Sequence, residues 1–237
     1  MDNRRFEQEL NELGVRLNDI QKEQFDRYYE LLVEWNRVMN LTGITDYDEV
    51  NLKHFTDSLT IVRINNMENV PTLIDIGTGA GFPGLPIKIA FPHIKVILLD
   101  SLNKRIKFLD KVIEELNLDN VFTLHGRAED YAKKVEYREQ FDTCVSRAVA
   151  NLSTLSEYCL PFVKEGGNFI SYKSAESDEE ISHSEKAINL LGGKINRVEK
   201  FVLPGSDMRR ALVKIDKVKS TPKKYPRKAG MPGKEPL

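Results

Sequence analysis

Apolar residues return every three and four positions over the first quarter of the chain. Phe6, Leu10, Leu13, Leu17 and Ile20 share one helical face, the spacing expected of an amphipathic helix. Gly14 and the pair Asn18-Asp19 are expected to interrupt this helix and start a second. The second carries Phe25, Tyr28, Leu32, Trp35 and Met39 inward, and Thr42-Gly43 ends it. A third helix over 46–59 would bury Leu52, Phe55 and Leu59. Beyond Pro71 the period changes. Short runs of β-formers at 72–76, 95–99, 121–124, 141–146 and 168–172 alternate with helical spacing at 102–116, 152–163 and 181–191. Strands alternating with helices fold as a doubly wound, Rossmann-like α/β sheet. Two final runs, 195–203 and 211–215, have no helix between them, so they close the sheet as an antiparallel hairpin. The expected organisation is an N-terminal helical extension over 1–65, an α/β domain over 66–216, and a basic tail over 217–237, packed on that domain or extending from it.

The stretch from the first strand to the second carries the chemistry. Gly77, Gly79, Gly81 and Gly84 follow the strand and allow a sharp turn with close approach of backbone to a ligand. Asp100 ends the second strand, 23 positions after Gly77. An acid about 20 residues beyond such a turn stands where it can accept ribose hydroxyls. The pattern predicts an adenosine-like ligand across the carboxyl ends of a parallel sheet, with Gly79 and Asp100 among its contacts. A dinucleotide would set its pyrophosphate on the helix N-terminus. Asp75, two residues before Gly77, disfavours phosphate if it faces the turn and suits the ammonium and sulfonium of S-adenosylmethionine. Equally, it can cap the glycine turn.

At 237 residues, with 41% hydrophobic and 30% charged positions, the composition is that of a globular protein. No segment has the length and apolarity of a membrane span, and the charged start MDNRRFEQEL cannot act as a secretory signal. Two cysteines, Cys144 and Cys159, lie in apolar surroundings, so a reduced, cytoplasmic setting is expected. Cys144, inside the fourth strand, reads as a small buried hydrophobe. The net charge of −1 is unevenly spread. Residues 1–70 hold 8 basic and 14 acidic side chains, and residues 217–237 hold 7 basic and 1 acidic. A basic tail suits an anionic partner; a solvated tail would share this composition. His54, Asp57 and Ser58 do not make a hydrolytic triad at helical spacing and read instead as a polar cluster near a pocket or helix surface. The four histidines are scattered, and no metal site is expected.

Several segments together resemble a known family: WNRVMNLTGI from Trp35, HFTDSL from His54, DIGTGAGFPGLPI from Asp75, LLDSLNKRIKFL from Leu98, GRAED from Gly126, VSRAVA from Val145 and TPKKYPRKAGMPGKEPL from Thr221. The order of elements resembles class I S-adenosylmethionine-dependent methyltransferases. Within them the chain is similar, over essentially its whole length, to the bacterial small-subunit ribosomal RNA methyltransferase G family, formerly glucose-inhibited division protein B. The resemblance implies methylation of one guanine N7 in 16S ribosomal RNA, with S-adenosylmethionine as cofactor. It carries over cofactor roles for Gly77, Phe82, Ala128, Glu129 and Arg147.

The residues agree with that chemistry in what they lack. Guanine N7 has a lone pair and no proton, so no catalytic general base is expected; Arg147 and Arg127 would serve in positioning. No Asn/Asp-Pro-Pro-Tyr/Phe follows the fourth strand, where methyltransferases of exocyclic amines carry it, and Arg147 stands there instead. Arginine can pair with guanine acceptors or with phosphate, and RNA contact and cofactor support stay open for Arg147. Arg127, Lys173, Arg210, Lys223, Lys224 and Arg227 are the expected RNA contacts. The expected partner is 16S ribosomal RNA or the small ribosomal subunit, with no membrane and a monomeric protein. The rivals are a nicotinamide-dependent oxidoreductase, a non-enzymatic RNA-binding or ribosome-assembly factor, and a methyltransferase of small molecules.

Overall fold

The computed structural model describes residues 3–147 and 150–237. Helix α1 (Arg4–Glu12) stops before Gly14, whose φ of +73° an L side chain rarely adopts. Helix α2 (Asp19–Met39) opens on a capping box. The Asn18 side chain accepts from Gln21 N at 2.9 Å, and the Gln21 side chain accepts from Asn18 N at 2.8 Å. Asn40, at φ +49°, ends it. This restart corrects one sequence expectation. Ile20 falls in the first turn of α2, off the α1 face, and is 67% exposed. The third helical segment forms as α3 (Tyr47–Val50), a π-helical run (Asn51–Thr56) and α4 (Asp57–Leu59).

The rest alternates as expected: β1 (Thr72–Ile76), α5 (Gly84–Ala90), β2 (Lys95–Asp100), α6 (Asn103–Glu115), β3 (Val121–His125), α7 (Ala128–Tyr131), β4 (Phe141–Ser146), α8 (Leu152–Cys159), β5 (Val163–Ser174), α9 (Asp178–Leu190), β6 (Gly193–Val202), β7 (Arg209–Lys217) and α10 (Met231–Lys234). Two boundaries moved together. The predicted helix over 152–163 ends earlier, in a 3₁₀ turn (Leu160–Phe162), and β5 starts five residues before its expected position. The pairing jumps from Phe141↔Val163 to Thr143↔Asn168. Gly166, at φ +82°, and Gly167, where a Cβ would meet the Asp142 carbonyl at 2.5 Å, sit in that bulge.

The seven strands lie in the order β3-β2-β1-β4-β5-β7-β6. The first five are parallel, and β7 runs antiparallel to both neighbours. Chain order reverses between β1 and β4, and in open α/β sheets ligands bind outside the carboxyl ends of strands at such a switch point. Both faces are covered. Phe6, Phe25, Tyr28 and Phe55 from the N-terminal helices share one core with Leu85, Phe108, Val96 and Val145. The opposite core joins Ile74 and Cys144 to Leu155 and Ile188. The helices between residues 4 and 63 therefore pack into the sheet domain's own core. The C-terminal segment is packed too: Lys217, Thr221, Tyr225 and Pro232 are buried.

Candidate active site

The glycine elbow is held open from below. Gly77 N and Thr78 N both donate to the Leu99 carbonyl, at 2.9 and 3.2 Å. Ser146 Oγ, from the end of β4, donates to the Ile76 carbonyl at 2.8 Å. Gly77 and Gly79 take φ of +70° and +62° and face open space where a Cβ would be. The buried Tyr28 hydroxyl, from α2, donates to the Ala80 carbonyl, and a Cβ at Gly81 would strike it. The helical layer thus clamps the turn from one side.

Asp75 is fully buried beneath the elbow. Its Oδ2 accepts from Thr78 Oγ1 at 2.7 Å and from Gly84 N at 2.8 Å, so it caps the turn and the first N–H of α5. A carboxylate already stands where a dinucleotide would place its pyrophosphate. The other oxygen, Oδ1, is buried and has no hydrogen-bond partner among the described residues. Burial raises the Asp75 pKa to about 7. Asp100 accepts from Gly79 N at 2.9 Å and Leu102 N at 2.9 Å, and pairs with Arg105 at 3.2 Å. A carboxylate has about four lone-pair positions, and Arg105 is the partner that a ribose hydroxyl can join or displace.

Above the elbow lies a cavity of about 310 Å³, lined by Leu41, Thr42, His54, Gly77, Thr78, Gly79, Ala80, Phe82, Arg105 and Arg147. Beside it a second cavity, of about 570 Å³, is lined among others by Asp57, Tyr172, Lys173, Glu180, Phe201 and Arg210. His54 and Arg147 line both. His54 stacks on Phe82, and the Arg147 guanidinium lies 5.1 Å from the centroid of that same ring. Arg147 Nη2 stands 3.4 Å from His54 Nδ1, and His54 Nε2 stands 2.8 Å from Thr42 Oγ1. Arginine only donates, so Nδ1 accepts and Nε2 carries the hydrogen. Burial, and then the Arg147 charge, lower the His54 pKa to about 3.

The sequence-predicted residues are distributed unevenly around these cavities. Gly77, Gly79, Phe82 and Arg147 line the first; Lys173 and Arg210 line the second. Ala128 and Glu129 are buried after β3 and line neither, and Glu129 Oε1 accepts from Gly230 N at 2.8 Å. Arg127, Lys223 and Lys224 are exposed. Three of the expected RNA contacts are already committed to protein, among them Arg210, whose Nε donates to Asp57 Oδ1 at 3.0 Å. Lys173 Nζ donates to Glu180 at 2.7 Å and to the Ala150 carbonyl at 2.8 Å. Arg227 pairs with the wholly buried Glu157 at 2.7 Å. Lys217, counted in the basic tail, is also buried, against Glu139 and the Leu160 and Val163 carbonyls. Leu41, Thr42 and Arg105 were not among the sequence's site candidates, and His54 was expected only in a polar cluster near a pocket or helix surface. Their signal lay in the segments WNRVMNLTGI, HFTDSL and LLDSLNKRIKFL, which carried the family likeness without a role attached.

The profile of the rRNA small subunit methyltransferase G family (GidB) matches residues 21–220. The chain belongs to this family. A protein of Lachnoclostridium phytofermentans named ribosomal RNA small subunit methyltransferase G is 54% identical over 236 residues, covering 100% of this chain and 98% of that protein. One of the same name from Brevibacillus brevis is 51% identical over 237 residues, the whole of both. Among solved structures, an O-methyltransferase from Bacillus cereus in complex with SAH superposes with a TM-score of 0.59 over 88% of this chain and 95% of that one, at 16% identity. That likeness is one of fold. Membership of the methyltransferase G family sets the oxidoreductase reading aside, in agreement with the carboxylate beneath the elbow.

Proposed function

We infer that this protein transfers a methyl group from S-adenosylmethionine to N7 of one guanine in 16S ribosomal RNA. The observation that carries the reading is the pair of cavities at the sheet's switch point, joined through His54 and Arg147. The first suits the methyl donor. It has open glycine backbone at Gly77 and Gly79, Asp100 holds Gly79 N from the end of β2, and the first N–H of α5 is taken by Asp75, which leaves that terminus engaged where a phosphate would sit. Gly77, Gly79, Phe82, Asp100 and Arg147 would hold that donor, with Thr42, His54 and Arg105. Ala128 and Glu129 support the same end of the sheet through the C-terminal segment. When bound, the donor supplies an electrophilic methyl on a sulfonium; the N7 lone pair makes the new bond, and sulfur keeps the electrons of the old one.

The second cavity receives the target nucleotide. Arg147 and Arg210 present donors to acceptors of the guanine edge or its phosphate. No protein group needs to take a proton, in keeping with a neutral His54 at the junction. Alignment across the shared wall and exclusion of water are what the chain provides, and proximity of this kind can contribute about 7–11 kcal/mol. Arg127, Lys223 and Lys224, exposed on the surface, make the outer phosphate contacts. Lys173 and Arg227 contribute by ordering the cavity wall and the C-terminal segment.

The deciding experiment is mass mapping of modified nucleosides in 16S RNA from cells lacking the protein, with labelled-methyl transfer by the purified protein. Loss of one 7-methylguanosine, restored in vitro, is expected. An unchanged set of guanine marks would overturn the reading and leave an RNA-binding assembly factor in its place.

A further inference from the structure

We propose that Asp57 is a positioning residue that fixes Arg147 and Arg210 as one rigid wall of the nucleotide-receiving cavity. The proposal rests on the functional reading above.

Asp57 is 5% exposed and belongs to the short helix that follows the π-helical run. Both of its oxygens are engaged. Oδ2 accepts from Arg147 Nη1 at 2.7 Å, and Oδ1 accepts from Arg210 Nε at 3.0 Å. Those arginines come from distant places, the end of β4 and the start of β7. Without the carboxylate between them, two partly buried guanidiniums would repel and swing toward solvent. Arg147 is further held by the Lys53 carbonyl at 3.2 Å. Tyr172 Oη donates to the Ser58 carbonyl at 2.6 Å, which ties the same helix to β5. All three members of the triplet line the larger cavity.

The charge balance fits the reaction. Two guanidiniums and one carboxylate leave a net +1, enough to attract guanine acceptors or phosphate. Methyl transfer moves the positive charge from sulfur onto the purine. Two uncompensated arginines would oppose that movement, and the carboxylate offsets it. The His54-Asp57-Ser58 cluster thus has a use unrelated to a hydrolytic triad: its aspartate acts through the two arginines.

The test uses the full-length protein with 16S RNA or the small subunit it methylates. Asp57→Asn keeps the size of the side chain and removes the charge. Its single-turnover methyl transfer at saturating RNA should fall about tenfold or more. Its calorimetric affinity for S-adenosylmethionine should fall by a smaller factor than the transfer rate, because Arg147 is one of several donor contacts and keeps its contacts with the Lys53 carbonyl and His54. RNA affinity should be kept or raised at low salt, with a log–log salt slope steeper by about one unit. A merely structural aspartate would lower RNA affinity and transfer rate together, without steepening the slope, and that result would overturn the proposal. So would an unchanged transfer rate. Should Asp57→Asn fail to fold, Arg210→Gln probes the wall from its other side. Slower transfer with unaltered cofactor affinity and a shallower salt slope is expected, and unaltered transfer would refute the proposal. If the wild-type protein methylates no ribosomal RNA, the functional reading fails first, and the two failures are distinguishable.

Discussion

The His54 ring lies nearly parallel to Phe82, with centroids 4.6 Å apart and planes 19° apart. Phe82 also stacks with Tyr28, at 5.6 Å and 27°. The elbow's aromatic residue therefore joins the helical layer to the wall between the cavities. Phe82→Ala should cost about 3–5 kcal/mol of stability, the usual penalty for removing a buried ring. It should also release His54 and weaken binding of S-adenosylmethionine. Urea unfolding and calorimetry check the two effects; a loss under about 1 kcal/mol would show that the ring is not a packing element.

The pH dependence of folding contains two opposed contributions. The His54 pKa is lowered from 6.5 to about 3. Its contribution to stability is thus complete above pH 6.5 and is lost as pH falls toward 3. The Asp75 pKa is raised from 3.8 to about 7, so stability is lost as pH rises from about 4 toward 7. Across pH 4 to 6.5 the two largely cancel. Asp75→Asn retains an acceptor for Thr78 and Gly84 and removes one of them. Stability of this variant should rise with pH between 4 and 6 more steeply than that of wild type, by up to about 1.4 kcal/mol per unit. Urea melts at half-unit steps measure the difference, and parallel curves would contradict it.

Basic residues of the C-terminal segment should separate into two groups. Arg227→Ala removes the guanidinium from Glu157, 0% exposed, and leaves it only the backbone N–H of residue 227, and should cost about 3–5 kcal/mol. Lys223→Ala and Lys224→Ala, at exposed positions, should change stability by less than about 0.5 kcal/mol. Each should weaken RNA binding and lower the salt slope by about 0.7–0.9. Thermal melts beside filter-binding titrations at several salt concentrations separate the groups.

Glu129 joins the region after β3 to the C-terminal segment through Gly230 N. Glu129→Ala should free residues near Lys228 for tryptic cleavage and reduce affinity for S-adenosylmethionine, while Glu129→Gln, which keeps an acceptor, should do neither in full. Equal cleavage rates for the two variants would show that the hydrogen bond does not hold the segment.

The fold was largely legible because its signals are local. Period-two and period-3.6 spacing located all seven strands to within a few residues, apart from the start of β5. There the Gly166-Gly167 bulge is read only through its pairing with β4. Ile20 misled because a side-chain face persists only while one helix continues, and the Asn18 cap restarted it. The elbow and Asp100 could be found because their spacing along the chain sets their spacing in the fold.

The sequence by itself determined the doubly wound sheet, the place of the glycine turn and the acid opposite it. These follow from backbone freedom at glycine and from apolar periodicity. Only the tertiary structure decided which charges meet. Asp57 lies 90 positions from Arg147 and 153 from Arg210, and composition gives no sign that Lys173 and Arg227 are taken by carboxylates while Lys223 and Lys224 remain exposed. An ion pair depends on where two chain segments come together and on how much water is removed there, and neither is encoded in the neighbours of a single residue.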